Sequence, residues 1–136
     1  IYMKNYLWDL SLPFKFTNCD IVGKKTYYCY LKDEKKSLLK FPGNEHKNTN
    51  FIAGATFIFK KNVWNKIKFD NIKLGEDTSF LKKIIKNKLS IYSSDSLNYI
   101  CIRYNDLSKH TFKNFIYDSL ELKNESYLEL FKKLDV

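Results

Sequence analysis

The nine residues Phe51-Ile-Ala-Gly-Ala-Thr-Phe-Ile-Phe59 constrain this chain most. They are almost wholly apolar and are bounded by polar segments on both sides. A run this short falls well below the roughly 18 apolar residues that cross a bilayer. It also lacks an alternation that would leave one face wet, so it reads as a central strand covered on both faces. Such a strand needs a layer above it and a layer below. The sequence that follows offers one: residues 76–88 have a helical period, with Phe80, Leu81, Ile84 and Ile85 on one stripe and Lys82, Lys83, Lys86 and Lys88 around the other face.

The remaining elements agree with a layered fold. Residues 4–12, with Tyr6, Leu7 and Leu10, predict a short helix that Pro13 ends. Residues 25–31 are aromatic and predict a strand. Ser37 to Phe41 predict a returning strand after a charged turn at 32–36, and Pro42 to Asn50 a polar loop. Asn62 to Ile67 suit one or two helical turns. Ser90 to Ser93 and Leu97 to Tyr104 read as strands. The tail reads as helical, with Leu128, Phe131 and Leu134 at helical spacing. Asn124 or Ser126 can cap it, and Ser126 and Glu129 stand at capping-box spacing. The order predicts an α/β or α+β layer fold, a mixed sheet with flanking helices and a helical C-terminal tail.

The 136 residues leave room for one ordinary domain. Their 44% hydrophobic share suffices for a core and excludes wholesale disorder. The net charge of +9 invites a polyanion or a membrane surface as partner. Its make-up points elsewhere. Arg103 is the sole arginine, whereas readers of bases and phosphates favour the guanidinium fork. The excess is also local, with nine lysines against Asp70, Glu76 and Asp77 in residues 60–88. That pattern suits an enzyme handling a phosphorylated ligand, and no dedicated nucleic-acid face is expected. Cys19, Cys29 and Cys101 are odd in number and contain no Cys-x-x-Cys pair. They predict reduced thiols in a cytoplasmic protein, not a disulfide framework or a zinc ribbon. The chain starts at Ile1 with no secretory pattern, which suggests a processed or partial sequence.

Three clusters carry chemistry. Glu76 and Asp77 open the amphipathic helix just after Gly75. Acids there complement the helix dipole and its free N–H groups. A carboxylate in that place also stays ionised and can take a proton from a hydroxyl brought to it. Arg103 at a strand end, with Lys109 and His110 beyond it, can grip a diphosphate or help hold a metal bound to one. Gly54, Ala55 and Thr56 are small enough to admit a ligand close to the backbone, or simply to allow tight packing.

These clusters fall in order over residues 53–112: Gly54-Ala55-Thr56 and its apolar run, Asn62-Val63-Trp64, Phe69-Asp70, Gly75-Glu76-Asp77-Thr78-Ser79-Phe80-Leu81, Ile91-Tyr92-Ser93, Leu97-Asn98-Tyr99-Ile100, Arg103 and His110-Thr111-Phe112. In that order they resemble the C-terminal half of a family 2 nucleotide-sugar glycosyltransferase of the GT-A fold. A weaker likeness in Tyr2, Asn5-Tyr6-Leu7, Asp20-Ile21-Val22-Gly23-Lys24 and Tyr27-Tyr28 extends the resemblance over about residues 1–113. It implies an acceptor-side part at 1–113 and a helical extension at 114–136. It also implies Asp77 as general base, Glu76 as its support, and Gly54, Ala55 and Thr56 beside the sugars. Arg103 and His110 would lie near the diphosphate, with His110 a metal contact. The implied reaction is an inverting transfer from a nucleotide-sugar to an acceptor hydroxyl, with a divalent ion (Mn or Mg) in the intact enzyme, as in polysaccharide biosynthesis. The implied location is cytoplasmic or peripheral to a membrane.

One family feature is missing. The chain has no Asp-x-Asp, the family's metal and donor motif. The expectation is therefore a piece without its nucleotide-binding half: inactive alone, holding no metal, and open to self-association along exposed strand edges. The rival expectation is a basic, non-enzymatic module that binds a polyanion through its lysines and aromatic rings, or a structural domain.

Overall fold

A computed structural model describes residues 1–104, 118–122 and 126–134. It is α/β, with two mixed four-stranded sheets. The first sheet holds β1 (Ile21–Gly23), β4 (Lys47–Thr49), β5 (Ile58–Phe59) and β6 (Ile91–Ser93), in the order β4-β6-β1-β5. Only the β1–β6 pair is parallel. The second holds β2 (Tyr27–Leu31), β3 (Lys36–Lys40), β7 (Ile100–Arg103) and β8 (Ser119–Leu122), in the order β7-β2-β3-β8. There the β2–β7 pair is parallel and the others antiparallel.

The strand covered on both faces is β1, not the apolar run at 51–59. Neighbouring side chains of a strand point to opposite faces. Ile21 accordingly joins a core of Ile52, Val63, Phe80, Ile84 and Ile91, while Val22 joins Tyr6, Leu10, Tyr27 and Tyr99. The run at 51–59 is diverted by its own hydrogen bonds. The Ala53 N–H donates to the Lys24 carbonyl at 2.8 Å, and the Thr56 N–H donates back to the Ala53 carbonyl at 2.9 Å. Residues Gly54–Thr56 thus close a 3₁₀ turn, and only Ile58 and Phe59 pair, at the edge of the first sheet. Gly23 lets this segment cross so closely. A Cβ there would lie 2.5 Å from Ile52 Cδ1 and 2.9 Å from Phe57 Cβ.

Helices cover the sheets. α1 (Tyr6–Ser11) buries Tyr6 and Leu10, whereas Leu7 is exposed. Pro13 does not end the helical stretch but opens a second turn, α2 (Pro13–Phe16), where its missing N–H costs nothing. α3 (Lys61–Lys66) buries Val63. α4 (Glu76–Lys86) buries Phe80, Leu81 and Ile84 against β1 and β6, and leaves Ile85 exposed.

The tail is only partly helical. Residues 119–122 form β8, because β3 offers a free edge whose N–H and C=O groups they satisfy. The helix, α5 (Tyr127–Leu134), begins at the expected capping box: the Ser126 N–H donates to Glu129 Oε2 at 2.7 Å, and the Glu129 N–H donates to Ser126 Oγ at 3.3 Å. Its buried face is Leu130 and Leu134 on Met3 and Ile100, with Phe131 alongside, while Leu128 points outward. Asn98 joins both ends of the described chain. Its carbonyl accepts the Met3 N–H and its N–H donates to the Leu134 carbonyl, each at 3.0 Å.

Candidate functional site

A cleft of about 800 Å³ opens between the second sheet, the 51–55 segment and the start of α4. Glu76 and Asp77 line it from α4, Gly54 and Ala55 from the 3₁₀ turn, and Arg103 from β7. These five residues singled out in sequence therefore converge, although they lie as much as about a third of the chain apart. The strand pattern explains why. Along β7, Cys101 and Arg103 share one face and Ile100 and Ile102 the other. The isoleucines pack toward α5, which turns Cys101 and Arg103 to the cleft.

Asp77 is seated against Gly54. A Cβ at position 54 would lie 1.7 Å from Asp77 Oδ2 and 2.2 Å from Asp77 Cγ, so only glycine leaves room for this carboxylate. Asp77 is half-buried, and no described residue gives it a hydrogen bond or an ion pair. Burial raises its pKa above the ordinary carboxylate value, and the neighbouring charge of Glu76 adds to the rise. The loop before α4 is fixed separately. Ser79 and Lys83 both bind the carboxylate of Asp70, which holds that carboxyl below its usual range, chiefly through Lys83. Gly75 enters the helix with φ of 82°, a left-handed conformation that costs glycine little.

The wall opposite α4 is cationic and aromatic. Lys40 and Arg103 face the cleft there with Tyr27, Phe41, Phe51 and Tyr99, and Lys82 adds a charge from α4 itself. Lys40 is buried, donates to Ser119 Oγ at 2.7 Å, and has its pKa lowered by that burial. Three cations against two carboxylates favour an anionic ligand. The aromatic residues, Lys40 and Cys101 were not singled out in sequence. Lys40 reaches the wall because β3 sets it opposite Tyr27, a long-range pairing without a local motif.

Thr56 is not part of the lining. It is buried, and its hydroxyl accepts the Lys24 N–H at 2.9 Å and donates to the Ala53 carbonyl at 2.7 Å. The Tyr6 hydroxyl donates to the Thr56 carbonyl at 2.6 Å, and the Tyr2 hydroxyl to the Ala55 carbonyl at 2.6 Å. Thr56 therefore holds the turn that presents Gly54 and Ala55. His110, with Lys109, Thr111 and Phe112, lies outside the described residues. Among the described residues no group of three or more His, Cys, Asp or Glu side chains could hold a metal ion. No helix in them is long and apolar enough to cross a membrane. No protein-family model, curated protein or solved structure matches the chain.

Proposed function

We propose that this chain carries the acceptor side of a GT-A nucleotide-sugar glycosyltransferase, with Asp77 as the general base. The seat of Asp77 supports the reading most: a half-buried carboxylate on Gly54, in a cleft, with raised proton affinity and no partner among the described residues. In the reaction, an acceptor hydroxyl gives its proton to Asp77 while its oxygen attacks the anomeric carbon. Attack comes from the face opposite the departing nucleoside diphosphate, so configuration inverts. Glu76 supports the base by keeping negative charge beside it, which raises its proton affinity. Arg103, with Lys40 beside it and Lys82 across the cleft on α4, offers charge to the diphosphate. No step is assigned to a metal ion.

The test is Asp77→Asn in the protein that carries these residues, followed by release of nucleoside diphosphate from a nucleotide-sugar. Turnover should fall by about 10²–10⁴-fold, the usual worth of a general base, with donor affinity unchanged. Retained turnover removes Asp77 from the mechanism. Polyanion binding that weakens steeply with salt, with no transfer from any nucleotide-sugar, would favour the basic binding module instead.

A further inference from the structure

Cys29 and Cys101 are direct register partners on the parallel strands β2 and β7. Neighbouring strands run about 4.8 Å apart, within the Cα separation that a disulfide spans. Both thiols are free. Cys29 is fully buried, and Cys101 is half-buried and lines the cleft on the same strand face as Arg103. One sulfur is thus open to a small reagent in the cleft, and the second waits directly behind it.

The geometry points to a modification site: Cys101 reacts with a hydroperoxide that enters the cleft, and Cys29 resolves the product into a cross-strand disulfide. The electrostatics suit the roles. The neighbouring Cys29 is the main influence lowering the Cys101 pKa, to about 7, and the charge of Arg103 lowers it further. The same pairing, with burial, pushes the Cys29 thiol up. The nucleophile is therefore the half-buried sulfur that lines the cleft and the resolving group the fully buried one.

The chemistry balances. The Cys101 thiolate attacks one peroxide oxygen, the O–O bond breaks, and the departing oxide takes a proton to leave as water or an alcohol. This gives the sulfenic acid, Cys101–SOH. The Cys29 sulfur then attacks the Cys101 sulfur, its proton leaves with the displaced hydroxide as water, and the S–S bond forms. Two thiols lose two electrons and one peroxide gains them. Oxidation changes the wall beside Arg103, so it acts on whatever the cleft binds, whether or not that is a nucleotide-sugar.

The test uses the folded chain and hydrogen peroxide, with thiol counting in denaturant and non-reducing peptide mass mapping. Two of the three thiols should disappear together, joined as Cys29–Cys101, while Cys19 stays reduced. Cys19 is buried, and its sulfur accepts a hydrogen bond from the Thr17 hydroxyl at 2.9 Å, so it is a fair internal control. Cys29→Ala should stop at a sulfenic acid trapped by dimedone, and Cys101→Ser should show neither product. The proposal fails if Cys19 oxidises as fast as the pair, if no Cys29–Cys101 cross-link is found, or if Cys101→Ser loses thiols at the parental rate. The cross-link map needs no variant, so a poorly folding substitution leaves the test intact.

Discussion

Asp77 sits where folding disfavours its charge. Its pKa is raised in the folded protein, so protons bind more tightly there than in the unfolded chain between the two values. Stability therefore falls as pH rises through that window, and the charged carboxylate is a net cost at neutral pH. Asp77→Asn should raise the melting temperature at pH 7, and the gain should vanish in acid, below the ordinary carboxylate range. Equal melting curves at every pH would contradict this. Gly54→Ala makes the complementary case. Its methyl would collide with Asp77. The carboxylate must rotate away, and a displacement of that size costs about 100-fold in turnover. The overpacking also costs about 1–3 kcal/mol in urea unfolding. At this scale Glu76, Asp77 and Arg103, marked in sequence by residue type, do line one cleft. The sequence misled at Thr56, because a threonine that satisfies backbone groups and one that faces a ligand look alike until the partners in the Lys24 segment are known.

Elements with a clear period or a β-rich run were legible, including the short β6 and α3, whereas two short strands were not. β2, β3 and α4 fall close to their expected bounds. β1 and β4 have three residues each, too few to show a period, and β4 (Lys47–Thr49) is polar besides. The run at 51–59 has the composition of a strand, but the hydrogen bonds of Ala53 fold it into a turn. α5 shows how a correct helix can carry a partly wrong stripe: Leu134 is buried and Phe131 packs beside it as expected, but Leu128 does not. Leu130 and Leu134 are fully buried, while Leu128 is 66% exposed. Leu130→Ala should cost about 2–5 kcal/mol, as deletion of buried leucine atoms does. Leu128→Ala should change stability by less than about 0.5 kcal/mol. Equal effects in chemical denaturation would restore the stripe expected from sequence.

Across the whole molecule, what the sequence could not supply was the meeting of distant pieces. The cleft needs Lys40 from β3, Gly54 from a turn, Asp77 from α4 and Arg103 from β7; strand register places Lys40 and Arg103, while the Ala53–Lys24 hydrogen bond and the packing of α4 on the first sheet place the other two. The basic segment, by contrast, was visible as nine lysines near the carboxylate pair, and Lys82 does reach the cleft. β5 stands at one end of the first sheet, and its outer side has no strand partner among the described residues. An edge of this kind pairs with other chains. The sedimentation coefficient should therefore rise with concentration, and a constant monomer value would exclude association along that edge.

Asn98 has a further consequence for the path of the backbone. Because it ties residue 3 to residue 134, the described chain is close to a closed ring. A short flexible linker could join those two points. New termini could then be opened in the turn at 32–35, which separates β2 from β3 without interrupting either. The circular permutant would keep every strand pair while moving its ends away from α5.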